Sequence, residues 1–282
     1  MSSKRRRFIA ALGALALAAS VSAGAESLDD IQKQSVLKIA VYNDFPPYSF
    51  AGHGIDVDLG AALAERLGVK PEIVWFNAGE DMSDDLRNMV WKGHYLGGRM
   101  ADVMMHVPVD ARFAEENDKV SIFGIYHLES VAVARDPAKV PAPVGSAAVA
   151  LEVFTREKIG VELATLADSF LLGTLNGRLK DNVVHYRSVA LAVDGLKAGE
   201  VAAVMAPRTE IEAAVAKDPR FPIAAVQMPE LRINGWALGM AVKADSPRLA
   251  QALGQTLDTL QQDGTVDKIF SRYDVSHRIP EK

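Results

Sequence analysis

The chain has 282 residues, of which 49% are hydrophobic and 24% are charged, and its formal net charge is −5. This size and composition are typical of a globular protein with one large domain or two lobes, and they exclude a disordered, collagenous or polytopic membrane protein. Because the sequence contains no cysteine, disulfides, thiolate metal sites and cysteine nucleophiles are excluded as well.

The N-terminal segment has the pattern of an export signal. Four basic residues, 4–7, precede an apolar run, 8–19, and a group of small residues, 22–25. This order predicts a secretory signal peptide, 1–25, that is cleaved after Ala25, with a twin-arginine signal as the alternative. Cleavage would leave 27 Lys and Arg against 36 Asp and Glu, a net charge of −9. We therefore expect a periplasmic protein that inserts in no membrane and binds no nucleic acid.

Predicted strands and helices alternate along the first half of the mature chain. Branched apolar runs predict strands at 36–42, 71–76 and 101–107. Apolar residues at helical spacing predict helices at 56–67 and 83–91, the second capped by Ser83. The segment 44–48 contains two prolines and predicts a rigid turn. Such alternation indicates a parallel α/β sheet.

A second α/β unit follows the proline-rich segment 137–143. The strands predicted here are 158–163, 182–186, 201–205 and 236–242. The helices predicted here are 166–172, 189–198 and 247–262. Two such units, with a last segment that can return to the first, predict two lobes and a cleft.

Several segments resemble the family 3 periplasmic solute-binding proteins, which are the polar-amino-acid receptors of ABC transporters. The matching segments are 37–41 (LKIAV), 45–50 (FPPYSF), 54–59 (GIDVDL), 158–161 (KIGV) with Thr165, 195–201 (GLKAGEV) and 264–270 (GTVDKIF). They keep the family's order and extend over 36–274. The resemblance implies a type II fold, in which two hinge crossings join two lobes around a ligand cleft. It places lobe 1 at 26–128 and 235–282, and lobe 2 at 129–234.

The chain departs from the family where an amino-acid ligand would be held. The usual carboxylate-binding arginine matches only loosely, at Arg112. The region that holds the family's amine-binding aspartate, 204–208, contains no acid. Because a buried ammonium needs a counter-charge, we expect the ligand not to be an ordinary α-amino acid.

The position of each residue in the implied fold selects the expected ligand contacts. Aromatic rings would stack on the ligand, arginines would bind an anionic group, and the helix start at Thr165 would favour an anion. The expected contacts are Tyr42, Phe45, Asn77, His106 and Arg112 in lobe 1, and Glu162, Thr165 and Arg208 in lobe 2.

Four histidines of the first lobe offer a metal site as an alternative. They are His53, His94, His106 and His127. Convergent imidazoles bind transition metals, but these four residues lack the tight spacing of a metal motif, so no metal ligand is assigned. A metal receptor would need at least three of them at one ion.

A second, weaker resemblance is to the receptor-like proteins that accompany quinoprotein alcohol dehydrogenases. It rests on 86–90 (LRNMV) and 101–108 (ADVMMHVP). The insertion 93–99 and His106 depart from that subgroup. If the resemblance holds, the partner is a periplasmic quinoprotein dehydrogenase.

The sequence as a whole predicts a solute-binding protein that captures a small polar or anionic non-amino-acid ligand for an ABC permease. We expect a monomer without a cofactor. The chain lacks the common hydrolase, P-loop and zinc-protease motifs. A few members of the superfamily are enzymes that need a cleft acid, which Glu162 or Asp110 could supply, but nothing singles these residues out. We therefore expect no catalytic residues and no enzyme activity.

Overall fold

The computed structural model describes residues 28–95 and 97–280 of a mixed α/β protein. The predicted signal peptide lies outside these residues. The strands are β1 (Val36–Tyr42), β2 (Lys70–Phe76), β3 (Val103–Pro108), β4 (Val120–Arg135), β5 (Ile159–Glu162), β6 (Val183–Tyr186), β7 (Ala203–Pro207), β8 (Ile223–Ala225) and β9 (Gly235–Lys243). The helices are α1 (Leu28–Gln34), α2 (Ile55–Arg66), α3 (Met82–Leu86), α4 (Ala111–Glu116), α5 (Ala147–Ala150), α6 (Leu166–Gly173), α7 (Val189–Ala198), α8 (Arg208–Val215), α9 (Pro247–Gln262) and α10 (Thr265–Arg272).

One long strand joins the two lobes. The strand order is β2-β1-β3-β9-β4-β7-β5-β6, with β8 on the side of β4. β4 has 16 residues: its first part pairs antiparallel with β9 as far as Ser130, and its second part pairs with β7 from Val131 onward. The chain passes to lobe 2 along β4 and returns at the start of β9. These are the two crossings that the type II fold requires.

Strand β1 shows how the sheet of lobe 1 is buried. Leu37, Ile39 and Val41 contribute to one apolar core, while Ala40 and Tyr42 contribute to another core on the opposite face. Burial of both faces is typical of parallel strands between two layers of helices.

The sheet of lobe 2 is buried in the same way. Along β4, Val131 and Val133 face one core, and Ala132 and Ala134 face a second core. No helix among the described residues is both long enough and apolar enough to span a membrane.

Most predicted elements occur within one or two residues of their predicted bounds. The predicted helix 83–91 is instead the short α3 followed by a π-helical turn, Arg87–Trp91. The predicted cap, Ser83, is wrong, because the Asp81 carboxylate accepts the N–H of Asp84 at 2.9 Å and Ser83 lies inside the helix. The elements β4, β8, α1, α4, α5, α8 and α10 have no counterpart among the predicted ones. The lobe boundaries at 128/129 and 234/235 stay a prediction, since β4 continues through the first without a break.

Two helical glycines give a matched test of the packing of lobe 1. A Cβ added at Gly60 in α2 would lie 2.9 Å from Ile39 Cγ2, whereas at Gly254 in α9 the nearest atom would be 3.8 Å away. Alanine is better than glycine in a helix by about 0.5–1 kcal/mol, so Gly254→Ala should stabilise the protein. Overpacking of a buried branched side chain costs about 1–3 kcal/mol, so Gly60→Ala should destabilise it. Urea unfolding measures both changes, and a stabilising Gly60→Ala would contradict the packing described for α2 on β1.

Candidate ligand-binding cleft

A cavity of about 710 Å³ lies between the two lobes. Lobe 1 lines it with residues 44–47 and Phe50, and lobe 2 lines it with Glu162, Thr165, residues 187–190, Glu210 and residues 213–214. These segments follow the carboxyl ends of β1, β5, β6 and β7. Ligands of open α/β sheets bind at this edge, so the position of the cavity makes it the candidate binding site.

The wall from lobe 1 is a tight loop that holds Phe45 in place. The backbone N–H groups of Phe45 and Ser49 each donate to the other residue's carbonyl, at 2.7 and 2.8 Å. The Phe45 ring stacks on Tyr48 with centroids 5.5 Å apart and meets the His106 ring edge-on at 4.8 Å. The neighbouring rings therefore hold Phe45 in place as an apolar surface that lines the cavity.

The wall from lobe 2 consists of the N-terminal ends of helices. Thr165 caps α6 by accepting the N–H of Asp168 at 3.3 Å, and Ser188 caps α7 by accepting the N–H of Leu191 at 3.2 Å. The Thr165 hydroxyl donates to the Glu162 carbonyl at 2.8 Å. The hydroxyl groups of Thr165 and Ser188 are therefore already engaged in hydrogen bonds within lobe 2.

Two carboxyl groups of lobe 2 face the cavity and hold their protons more tightly than usual. Burial raises the pKa of Glu162, partly offset by a hydrogen bond from the Val189 backbone. Burial, and then the charges of Glu162 and Glu129, raises the pKa of Glu210 well above its ordinary value. A positive group placed between these carboxyls would reverse both shifts, because it favours the ionised form.

A third carboxylate lies on β4, where the two lobes meet. Glu129 is 3% exposed and accepts the Tyr48 hydroxyl at 2.9 Å, the Ser130 N–H at 2.8 Å and the Thr209 N–H at 3.3 Å. Thr209 belongs to α8, and its hydroxyl lies 3.0 Å from His127 Nε2. These contacts join lobe 2 to lobe 1.

His106 belongs to a buried polar group behind Phe45. It has a φ of 62° at a register shift between β3 and β9, where a bulge redirects its side chain. Its Nδ1 lies 3.3 Å from Asp56 Oδ2. Its backbone N–H donates to the Tyr126 hydroxyl at 3.1 Å, and that hydroxyl donates to Asp56 Oδ1 at 2.7 Å. The ring is thus oriented by lobe 1 before any ligand arrives.

The structure brings only some of the expected contacts to the cavity. Phe45, Glu162 and Thr165 line it, and His106 lies directly behind Phe45. Tyr42 is buried and donates to Asp85 at 2.7 Å, while Asn77 is exposed and accepts from Asn43.

The two expected arginines do not line the cavity, and helical geometry explains why. Arg112 has an exposed side chain that pairs with Glu116, four residues on in α4. Arg208 pairs with Glu212 at 2.6 Å, four residues on in α8, and lines a separate groove of about 480 Å³. Residues four apart share a helix face, and Glu210 lies on the opposite face, toward the cleft.

The four histidines do not converge on one point. His53 and His94 are exposed in loops, and His127 is buried at the hinge, where burial and the charge of Arg278 lower its pKa to about 2. Within the described parts of the chain, no group of three or more His, Cys, Asp or Glu residues is arranged to hold a metal ion. The metal-receptor alternative therefore lacks the arrangement it needs.

Sequence reasoning missed Glu210, a cleft carboxyl whose pKa is raised well above its ordinary value. The resemblance places the amine-binding acid within 204–208, and Glu210 lies two residues further along the chain, in the first turn of α8. The absence of an acid at 204–208 therefore does not leave the cleft without a counter-charge for an ammonium group. The signal that points to Glu210 is an acidic residue in the first helical turn after β7.

Replacing this carboxyl should stabilise the protein. A raised folded-state pKa gives stability that is complete at low pH and is lost as pH rises through that pKa. At pH ~8, Glu210→Gln should therefore have a higher Tm than the parent protein, and a gain of about 1 kcal/mol would raise Tm by roughly 2–4 °C. The difference should shrink as pH approaches the ordinary glutamate value of 4.5. Glu115→Gln, at an exposed position of α4, is the control, and an unchanged Tm in Glu210→Gln would contradict this account.

Comparisons with solved structures place the fold. An ancestral cationic amino-acid solute-binding protein is 21% identical, with a TM-score of 0.65 over 87% of this chain and 98% of that one. An amino-acid ABC transporter substrate-binding protein of Streptococcus pneumoniae, solved with L-arginine, is 19% identical, with a TM-score of 0.60 over 90% of this chain and all of that one. The solute receptor for L-cysteine of Neisseria gonorrhoeae is 18% identical, with a TM-score of 0.57 over 88% of this chain and 93% of that one.

Sequence comparison finds a partial relative among curated proteins. Cyclohexadienyl dehydratase of Pseudomonas aeruginosa is 38% identical over 98 residues, which are 31% of this chain and 37% of the enzyme. The chain therefore matches little more than a third of that enzyme's length. No family model matches the chain, and the comparisons do not show the quinoprotein-associated subgroup. What the similar structures establish is the fold: this chain has the two-lobed α/β fold of the amino-acid solute-binding proteins.

Proposed function

We propose that this protein is an exported solute-binding protein that captures a small polar molecule between its lobes and delivers it to an ABC permease. The observation that carries the proposal is the cavity at the carboxyl ends of the strands, which residues of both lobes line. The periplasm is the proposed compartment, on the pattern of residues 1–25. A monomer is the proposed state, since one chain supplies both walls.

Binding would act on the hinge. A ligand that touches both walls contacts the lobes together only when they are closed, so it shifts the population toward the closed form. The Phe45 loop on one side and the helix ends of lobe 2 on the other supply those contacts. A permease that recognises the closed arrangement would then sense occupancy.

The lining supports part of the ligand chemistry expected from the sequence. The carboxyls of Glu162 and Glu210 and the guanidinium of Arg187 line the cavity and can orient a polar molecule. An anionic ligand is not supported, because Asp44, Glu162 and Glu210 face the cavity against a single cation, Arg187. We keep the expectation that the ligand is not an α-amino acid, but for a different reason. The carboxylate of an amino acid would need a cation in the cleft, whereas Arg187 is exposed and Glu162 and Glu210 are acidic.

A thermal-shift screen of the protein without residues 1–25 tests the proposal. The panel contains amino acids, amines, carboxylates, alcohols and divalent ions. A ligand at 100 times its Kd adds roughly 2.7 kcal/mol, which should raise Tm by several degrees. The rise should be reduced in Glu162→Gln and kept in the exposed control Glu115→Gln. No stabilising compound in the panel, or one whose effect ignores every cleft variant, would contradict a solute-binding cleft.

An enzyme is the second candidate, and two observations favour it. One is the 98-residue match to cyclohexadienyl dehydratase. The other is the raised pKa of Glu162 and Glu210, since a carboxyl that holds its proton more tightly than usual can act as a general acid toward a departing hydroxyl. Such an enzyme also needs a positive group that holds the substrate carboxylate. Among the lining residues, the exposed Arg187 is the one cation that could do so.

An absorbance assay separates the two candidates. The protein is incubated with the cyclohexadienyl substrate of the Pseudomonas enzyme, and that enzyme serves as the positive control. Loss of water from a cyclohexadienol produces an aromatic ring, which absorbs in the near ultraviolet. We expect saturable binding at most and no turnover, whereas turnover that disappears in Glu162→Gln or Glu210→Gln would assign a dehydratase.

A further inference from the structure

We propose that the ligand is an organic cation, an amine or guanidine carried on an apolar body, and not an anion or an amino-acid zwitterion. This inference rests on the proposed solute-binding function and specifies the ligand class of the same cleft. It joins two independent features of the cavity: the apolar surface of its walls and the carboxyls that line it, of which Glu210 has no partner among the described residues.

The walls of the cavity are suited to an apolar body. Phe45, Pro46 and Pro47 form the side from lobe 1, and Ala213 and Ala214 belong to the side from lobe 2. The Phe45 ring is fixed by Tyr48 and His106, so it can stack on a flat group without first being ordered. A pocket of this kind binds ligands mainly by burying their apolar surface.

Exposed apolar side chains lie in the segments that line the cavity. Phe50 lines the cavity and is 43% exposed, and Leu163, Leu166 and Leu191 are 60%, 41% and 49% exposed. Each of these three leucines is next in sequence to a residue that lines the cavity. Of these side chains, Phe50 adds to the apolar lining, from which a strictly hydrophilic solute would gain nothing.

Glu210 supplies the charge that selects the head group. Its carboxyl lines the cavity and forms no hydrogen bond or ion pair with any residue that the structure describes. The groups that face it are Glu162 on β5, Glu129 on β4, Asp44 on the lobe-1 loop and Arg187 after β6. Four carboxyls and one guanidinium leave a net negative site, and a buried charge is stable only when it is paired. A ligand ammonium or guanidinium provides that partner.

Glu162 opposes an anionic ligand in a second way. The first backbone N–H of α7, at Val189, hydrogen-bonds to the Glu162 carboxyl. A helix N-terminus is the usual place for an anionic ligand group, and here the protein's own carboxyl occupies it. A ligand carboxylate would have to displace Glu162 and remain beside Glu210.

Four ligands with one ring and different head groups test the inference by calorimetry: phenethylamine, 2-phenylethanol, 3-phenylpropionate and L-phenylalanine. We expect phenethylamine to bind tightest, the alcohol more weakly and the carboxylate not measurably. Glu210→Gln and Glu162→Gln should each weaken the amine roughly 10- to 100-fold and leave the alcohol within about twofold. Glu115→Gln should change neither ligand.

The pH dependence gives a readout that a merely structural role would not move. Lowering the pH from ~8 toward ~5 leaves the amine protonated, but it moves Glu162 and Glu210, whose pKa values are raised, toward the uncharged form. Amine affinity should therefore fall as pH falls, and alcohol affinity should stay constant. Urea unfolding of each variant shows whether it is folded at the pH of the titration.

The outcomes separate this inference from the proposed function. If L-phenylalanine or 3-phenylpropionate binds tighter than the amine and loses affinity in Arg187→Gln, the ligand has a carboxylate, so the inference is overturned and the solute-binding function stands. If no member of the series binds while an amino acid, carboxylate, alcohol or divalent ion of the thermal-shift panel does, the inference is overturned in the same way. If nothing binds in either experiment, both the inference and the proposed function fail.

Discussion

The Glu129 carboxylate is the interaction on which the relation of the two lobes depends. It is buried on the strand that both lobes share, and it accepts hydrogen bonds from Tyr48 of lobe 1 and from the Thr209 N–H of lobe 2. A buried carboxylate is costly unless its oxygens are satisfied, so this one favours the arrangement that supplies its donors. Its charge also acts at a distance, because after burial it is the largest cause of the raised pKa of Tyr48 and it adds to that of Glu210. The hinge and the cleft are therefore electrostatically coupled.

Helix α8 is the element through which the cleft and the C-terminal segment meet. One face presents Glu210 to the cavity, and the opposite face carries Glu212, which accepts the Ser276 N–H at 2.7 Å and Arg278 Nη1 at 3.2 Å. Burial alone would raise the pKa of Glu212, but the Arg208 and Ser276 hydrogen bonds and the charge of Arg278 hold it below its usual value. The Arg278 carbonyl in turn accepts the Leu128 N–H of β4 at 2.7 Å. Any opening that moves α8 away from lobe 1 must break the contacts of Glu212 with Ser276 and Arg278.

The sequence was informative where periodicity decides structure and less so where a side chain's direction decides function. The alternation of branched apolar runs and helical spacing located β1, α2, α7 and α9 because burial on one or both faces selects those residues. Strand β4 was not predicted because it changes pairing partners at Ser130. Its apolar residues pack into different cores and therefore form no single pattern. Arg112 and Arg208 were expected at the ligand, yet a glutamate four residues on holds each of them outside the cavity. Such pairings follow from the helix boundaries, which sequence patterns give only approximately.

The cleft is held in a state that folding alone would not favour. Glu162 and Glu210 lie close enough for the charge of one to raise the pKa of the other, and nothing in lobe 2 that the structure describes neutralises Glu210. Replacing either carboxyl by an amide removes a like-charge repulsion, so their presence lowers the stability of the unliganded protein. Destabilised groups of this kind are typical of binding sites, where a partner supplies what the protein lacks. The carboxyls that repel each other in the empty cleft attract a ligand cation. The site can therefore distinguish a cation from an anion, although the described residues form no salt bridge with Glu210.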